Sequence, residues 1–306
     1  MAYIAVIQGG GALGAGTQSR IQSLGRVYSK VYGVSTGALM APLVATNKYK
    51  ELNNIYTNVD DNSIFSVLPY KTKKGKTTLR KGLSLFRLLL GKKSIGESKN
   101  LYKLIRKHFT VEIYNKVKEL NKDVIVSCFS RTKREIVHFR LSDSTYEDFV
   151  DWIWYSANVP IAMTLGEKPR KAGGIIEEWY DGGVSDGHTL SYAALNAHPG
   201  DTIDLFTHDE LPDPTKIYEP KKNWLGYLWE LVDPFRGISR TVINKGDYEA
   251  GLQIAKAKRL KVIIHYWGDK LTDNSLVFNK NTMRSWAILG KEIAKNKEYQ
   301  KVYDYT

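Results

Sequence analysis

The stretch Val31-Tyr32-Gly33-Val34-Ser35-Thr36-Gly37-Ala38-Leu39-Met40 (VYGVSTGALM) sets a serine between two glycines at the end of an apolar run. Val27–Val34 has the pattern of a buried strand. Thr36–Thr46, small and apolar on one face, reads as a helix. A G-x-S-x-G turn between strand and helix holds its serine in a sharp, strained bend, and the flanking glycines let the two elements approach without Cβ clashes. Ser35 is therefore the candidate nucleophile, and its hydroxyl needs a neighbour to accept its proton. A plain glycine-serine loop is the rival reading of the five letters alone.

Upstream, Tyr3–Gln8 is a short strand pattern, Gly9-Gly10-Gly11 turns out of it, and Ala12–Leu24 can be a helix. A β-α-β-α start makes an α/β fold with a parallel sheet and covering helices the economical class. Regular structure resumes with a helix near Leu101–Phe109 and strands at Val124–Phe129 and Ile136–Arg140. A helix over Tyr146–Ala157 follows, stopped by Pro160. Strands at Thr202–Thr207 and Leu260–Tyr266, and helices near Val242–Ala257 and Thr282–Lys295, complete the pattern. The 306 residues read as a single domain, 1–306, with residues 60–107 as a basic, partly apolar insertion. Leu211–Pro234 is a surface loop or a second insertion.

Gly9–Gly14 also fits G-x-G-x-x-G. The dinucleotide-binding reading needs an acid about 20 residues on, and no Asp or Glu occurs from Met1 to Lys50. The glycines have another use. Free amides at a helix N-terminus favour negative charge, and loops after adjacent parallel strands end on the same edge of the sheet. The amides of Gly9, Gly10 and Gly11 can thus face Ser35 and bind the oxyanion of an acyl-transfer intermediate.

For the base, an ordinary α/β-hydrolase order would supply Asp or Glu and then His. His108, His138, His198 and His208 sit at helix-surface, strand or element-end positions, while His188 and His265 stay open. The other acceptor is a carboxylate. Tyr180-Asp181-Gly182-Gly183-Val184-Ser185-Asp186-Gly187 puts Asp181 before two glycines, which suits a tight loop over a crowded site or a plain D-G-G turn. With a reference pKa of about 3.9, Asp181 acts as a base only if desolvated near Ser35.

These residues resemble the patatin-like phospholipases, lipid acyl hydrolases with a Ser-Asp dyad. The resemblance rests on four blocks in order: Gln8–Gly14 (QGGGALG), Gly33–Gly37 (GVSTG), Ser156–Pro160 (SANVP) and Asp181–Asp186 (DGGVSD). It implies a three-layer α/β/α fold with a mainly parallel central sheet, Ser35 as nucleophile, Asp181 as base, and the Gly9–Gly11 amides as oxyanion hole. It also implies a phospholipase A-type reaction through an acyl-enzyme, on a phospholipid or other lipid ester. Leu13 stands where the family often has Arg or Lys, and Gly187 and Thr189 where it commonly has Asn and Pro. An acyltransferase would use the same dyad.

Composition narrows the setting. No run of about 18 apolar residues suggests a membrane span, and MAYIAVIQGGG lacks the basic start of a signal peptide. A lone Cys128 fits a reducing compartment, and no cysteine or histidine spacing suits a metal, so no cofactor is expected. The expected location is cytoplasmic, peripheral on the inner membrane face. Tyr70–Lys107 holds thirteen Lys or Arg against one acid, Glu97, which is +12 of the chain's +13. Joined to the apolar Leu83–Leu90, this reads as a lid or a contact for an anionic membrane, or as a solvated basic face over a small packed helix. A non-catalytic nucleic-acid-binding protein is a further alternative, but no RNA or DNA motif is present and the four blocks would go unexplained.

Overall fold

The computed structural model describes residues 1–73, 76–169, 176–184, 189–208, 240–268, 271–272 and 275–306. Its strands are β1 (Tyr3–Ile7), β2 (Tyr28–Val34), β3 (Tyr70–Lys73), β4 (Lys76–Leu79), β5 (Asp123–Ser130), β6 (Glu135–Arg140), β7 (Gly166–Pro169), β8 (Ile176–Asp181), β9 (Thr202–Phe206), β10 (Lys261–His265) and β11 (Gln300–Asp304). The helices are α1 (Gly14–Leu24), α2 (Thr36–Ala45), α3 (Tyr49–Asn58), α4 (Asp61–Ile64), α5 (Lys81–Leu89), α6 (Lys99–His108), α7 (Val111–Glu119), α8 (Tyr146–Ser156), α9 (Leu190–Leu195), α10 (Arg240–Ala257) and α11 (Lys280–Ile293). The expected loop at Leu211–Pro234, together with Ser185, Asp186, Gly187 and His188, lies outside the described residues.

The sheet runs β11-β10-β9-β1-β2-β5-β8-β7, with β6 also on β5. Its centre is parallel, from β10 through β9, β1 and β2 to β5, while β6, β7, β8 and β11 join antiparallel at the flanks. Both faces are covered, as the continuous apolar runs of parallel strands require. Along β1, Ala5 and Ile7 face a core shared with α1–α3 and α6–α8. Ile4 and Val6 face a second core with α9 and α10. The three layers and the mainly parallel sheet are those the resemblance implies.

Two glycines set the distance between the layers. A Cβ on Gly33 would stand 2.3 Å from the Gly37 carbonyl oxygen, and one on Gly37 would stand 2.1 Å from that of Ile7. Helix α2 therefore lies directly on the β1–β2 pair, and residues 33 and 37 have no room for a side chain. The C-terminal part is stitched to the start by Arg20, whose guanidinium donates to the carbonyls of Tyr266 at 2.7 Å and Tyr299 at 2.6 Å. Burial pulls this guanidinium down to about 10.

Some boundaries differ from the sequence reading. A single 3₁₀ turn at Gly11–Leu13 precedes α1, and α8 ends at Ser156, four residues before Pro160. Pro160 has no amide for the Ser156 carbonyl four residues back, so the helix stops there as expected. Beyond the end, the Asn158 amide caps the Tyr155 carbonyl at 3.1 Å, and its own carbonyl accepts the Asp181 amide at 2.9 Å. The insertion forms the β3–β4 hairpin and α5. Helix α5 buries Ser84 but little of its apolar surface: Leu85, Phe86, Leu88 and Leu89, with Leu90 just past its end, are all exposed, Leu89 by 77%. No helix among the described residues is long and apolar enough to cross a membrane.

Replacing Gly37 with Ala should destabilise the chain by about 1–3 kcal/mol, the range for overpacking, read from the urea midpoint. The control is Gly246→Ala, within α10 with open space around it, which should be neutral or slightly stabilising. Equal midpoints for the two variants would refute the close-approach argument.

Candidate active site

The position of the candidate base follows from the edges of β5. Strand β6 pairs with β5 continuously from Ile125 to Ser130 and so fills one edge. Strand β2 pairs with β5 up to Val34↔Ser127. Strand β8 pairs with it from Cys128↔Asp181 to Ser130↔Trp179. Both must use the other edge, so β8 enters where β2 leaves. Asp181 occupies the register position next after Val34, the residue before Ser35.

Ser35 makes that exit possible. Its backbone has φ 56° and ψ −119°, a conformation an L residue adopts at a cost of about 1–3 kcal/mol. The bend lifts the chain off the sheet and into α2, freeing the β5 edge at Cys128. The side chains of Ser35 and Asp181 are buried, at 8% and 4% exposure. Gly183 donates its amide to Asp181 Oδ1 at 2.8 Å. A Cβ on Gly182 would lie 2.2 Å from the Ser127 carbonyl oxygen, which is why a glycine follows the aspartate.

The segment Ser156–Pro160 ties the two positions together. Ser156 Oγ accepts the Ser35 amide at 3.0 Å and donates to the Ser127 carbonyl at 2.7 Å. Two residues on, the Asn158 carbonyl accepts the Asp181 amide at 2.9 Å. The sequence reading used this segment only as a family block and did not find these bonds. They join residues 121 apart in one case, and no local spacing marks them.

The glycine loop meets the same place from β1. A Cβ on Gly9 would lie 2.8 Å from Ser35 Cβ and 3.5 Å from its Oγ, so the loop passes directly against the serine. Among the described residues the amides of Gly9, Gly10 and Gly11 have no protein acceptor. Gly11 has φ +54° and lies against the Ser275 carbonyl, which accepts the Ala12 amide at 2.8 Å.

Each described histidine has its own surroundings. His138 Nδ1 lies 2.8 Å from Ser127 Oγ and its ring stacks on Tyr192, where burial pushes it down to about 4. His265 pairs with Asp204 at 2.9 Å and is lowered by burial. His108 faces Glu51 at 3.3 Å, and His198 lies 3.7 Å from Asp201. His208 packs its ring on Gly10 and donates its amide to Gln8 Oε1 at 2.6 Å, on the loop's side away from β8. Cys128, the register partner of Asp181, is a fully buried thiol pushed up by burial and by the Asp181 charge.

From Ser35 and Gly11 an apolar cavity of about 60 Å³ runs between α2, α3 and α6, with Leu39, Ile55, Leu104 and Ile105 in its walls and Leu276 and Phe278 over it. The helix α6 residues recur at the amphipathic spacing, Leu101, Leu104, Ile105 and His108, the one sequence signal that marks this wall. Among the described residues no cluster of His, Cys, Asp or Glu could hold a metal ion.

A family model described as patatin-like phospholipase matches residues 5–194. No curated protein matches the chain. The crystal structure of VipD from Legionella pneumophila is a distant likeness, at 12% identity over 99% of this chain and 68% of that one, with a TM-score of 0.40. The family match runs from β1 through most of α9, well over half of the chain, and with it the chain belongs to the patatin-like phospholipases, a family of lipid acyl hydrolases.

Proposed function

We propose that this chain hydrolyses fatty-acyl esters of membrane lipids through a Ser35–Asp181 dyad. Asp181 takes the Ser35 proton as Oγ bonds to the ester carbonyl carbon, and the carbonyl oxygen becomes an oxyanion facing the Gly9–Gly11 amides. Collapse of this intermediate breaks the ester C–O bond. The lysolipid alkoxide leaves with the proton held by Asp181, and the acyl group stays on Ser35. A water then gives its proton to Asp181, attacks the acyl-enzyme and releases the fatty acid, and the proton returns to Ser35.

The observation that carries this reading is the shared edge of β5, which supports an aspartate beside a strained, buried serine with unpaired amides opposite. The apolar lining of the cavity starting at Ser35 matches an acyl chain in chemistry. The 60–107 insertion suits a substrate embedded in an anionic bilayer: its cations are attracted at about 1 kcal/mol each, and the exposed Leu85, Phe86 and Leu89 can enter the interface.

A fluorophosphonate probe should label the wild type and leave Ser35→Ala unlabelled, and Asp181→Asn should label at least about a hundredfold more slowly, the usual worth of a positioned base. A labelled Ser35→Ala or an inert wild type sinks the dyad. Removing the bridge with Ser156→Ala should lower kcat by roughly tenfold or more with little change in KM, the pattern of a misplaced nucleophile. A change confined to KM or to thermal stability would make Ser156 merely structural. Phosphatidylglycerol vesicles should retain the protein at low salt and release it at high salt, with Phe86→Glu and Leu89→Glu weakening retention. Equal retention by pure phosphatidylcholine vesicles would overturn the anionic-surface reading.

A further inference from the structure

The cavity beside Ser35 is small. At about 60 Å³ it falls well short of the roughly 300–1,000 Å³ of sites that enclose a sizeable ligand. A fatty-acyl chain enters only if a wall moves. Most of the wall is core: Leu101 and Ile105 of α6, Phe109 and Tyr56 of α3 are buried in the main hydrophobic cluster. Leu39, Ile55, Leu104 and Val159 are half-buried but packed against that cluster on or beside its helices; Leu276 and Phe278 are half-buried too, and their segment, Ser275–Phe278, belongs to no helix or strand.

A few polar contacts hold this segment. Asp61 Oδ1 accepts the Phe278 amide at 2.7 Å, and the Asp61 amide donates to the Phe278 carbonyl at 3.1 Å. The Tyr70 hydroxyl lies 2.6 Å from both Asp61 Oδ1 and the Leu276 carbonyl, so its single proton is shared between them. Phe65 stacks edge-on to Tyr70 and to Phe278. At its other end the segment touches the glycine loop, through the Ser275 carbonyl and the Ala12 amide. Tyr70 is also the first residue of β3, and the residues that follow it, Lys71 to Lys73, are exposed.

We propose that residues 275–278 are a strap that closes the cavity beside Ser35, and that Asp61 and Tyr70 are the clasp through which an anionic lipid surface bound by the basic hairpin releases it. The proposal rests on the hydrolase reading for its purpose, not for its geometry. A lipid surface shifts this equilibrium only by favouring the open form. It does so in two ways: the hairpin cations gain contacts with phosphates when β3 swings toward the surface, and an acyl chain fills the space the strap vacates. Tyr70 joins the two events, because its backbone starts the hairpin and its hydroxyl holds the strap.

The test uses the full chain carrying Ser35→Ala, so that lipids are not consumed. Amide hydrogen exchange over 275–279 should quicken about tenfold with phosphatidylglycerol vesicles and not with phosphatidylcholine vesicles. In the otherwise wild-type enzyme, Tyr70→Phe keeps the ring and removes the hydroxyl. It should raise hydrolysis of a soluble monomeric ester about fivefold without vesicles and bring stimulation by phosphatidylglycerol to within about twofold of unity. Unchanged exchange at 275–279, or vesicle stimulation in Tyr70→Phe equal to wild type, overturns the clasp. Should Tyr70→Phe not fold, the exchange measurement decides alone. A wild type that cleaves no ester under any condition retires the dyad instead, and the exchange measurement still judges the strap.

Discussion

One strand edge organises this molecule. Strand β5 offers a single edge to two strands of opposite direction, β2 up to Ser127 and β8 from Cys128 onward. Neither could extend without displacing the other, so the point of exchange is fixed by where β2 turns away. That turn is Ser35, and the residue that begins the replacement pairing is Asp181. Parallel order then does the rest. Because β1 lies beside β2, its glycine loop leaves the sheet at the same end and meets the same serine. Three segments far apart in sequence converge: β1 and β2 exit at the same end by their shared direction, and β8, running the other way, ends where β2 leaves the β5 edge.

The surroundings of that point keep its chemistry simple. Cys128 is held as a neutral thiol by burial. His138, three strands from β1 on β6, is held as a neutral ring bonded to Ser127. Of the other described histidines, His108 faces Glu51, His198 faces Asp201, His208 packs on Gly10 and His265 faces Asp204. Ser35 and Asp181 are both buried, in an environment where interactions with charge are strong because little water screens them. In the proposed mechanism, fixed amides at the glycine loop and the first turn of α2 would supply the positive end of such a centre. Preorganised dipoles of this kind need no rearrangement when negative charge develops.

What the sequence reveals and what it hides follow from the range of the contacts. The serine elbow is legible because its glycines answer to contacts within one strand-turn-helix unit, where a Cβ at Gly33 would strike Gly37. Asp181 is legible for a similar reason: Gly182 must be small to pass the Ser127 carbonyl. Ser156 is not legible as a bridge. A serine at the end of a helix has many uses, and only the folded chain brings its hydroxyl to the Ser35 amide. The antiparallel entry of β8 is equally hidden, since periodicity carries no direction. Helix α5 defeats pattern reading in another way. Its leucines follow an amphipathic spacing that normally signals a packed face, yet they stand exposed beside lysines.

A division of labour emerges along the chain. Ser35, Asp181, the glycine loop and the Ser156 bridge all fall within residues 5–194, the span the family model matches. Part of the cavity's lining does not: Leu276 and Phe278 come from residues 275–278, held by Asp61 and Tyr70 of the insertion within that span. The proposed reaction would constrain its parts tightly, because a serine, an aspartate and bare amides would have to meet within hydrogen-bond reach, and tight constraints leave recognisable motifs. Access to the cavity constrains only shape and apolarity, which many sequences satisfy. The motifless C-terminal part therefore does not mark a functionless part of the molecule. On the proposal above, it bears on access to the cavity rather than on the reaction.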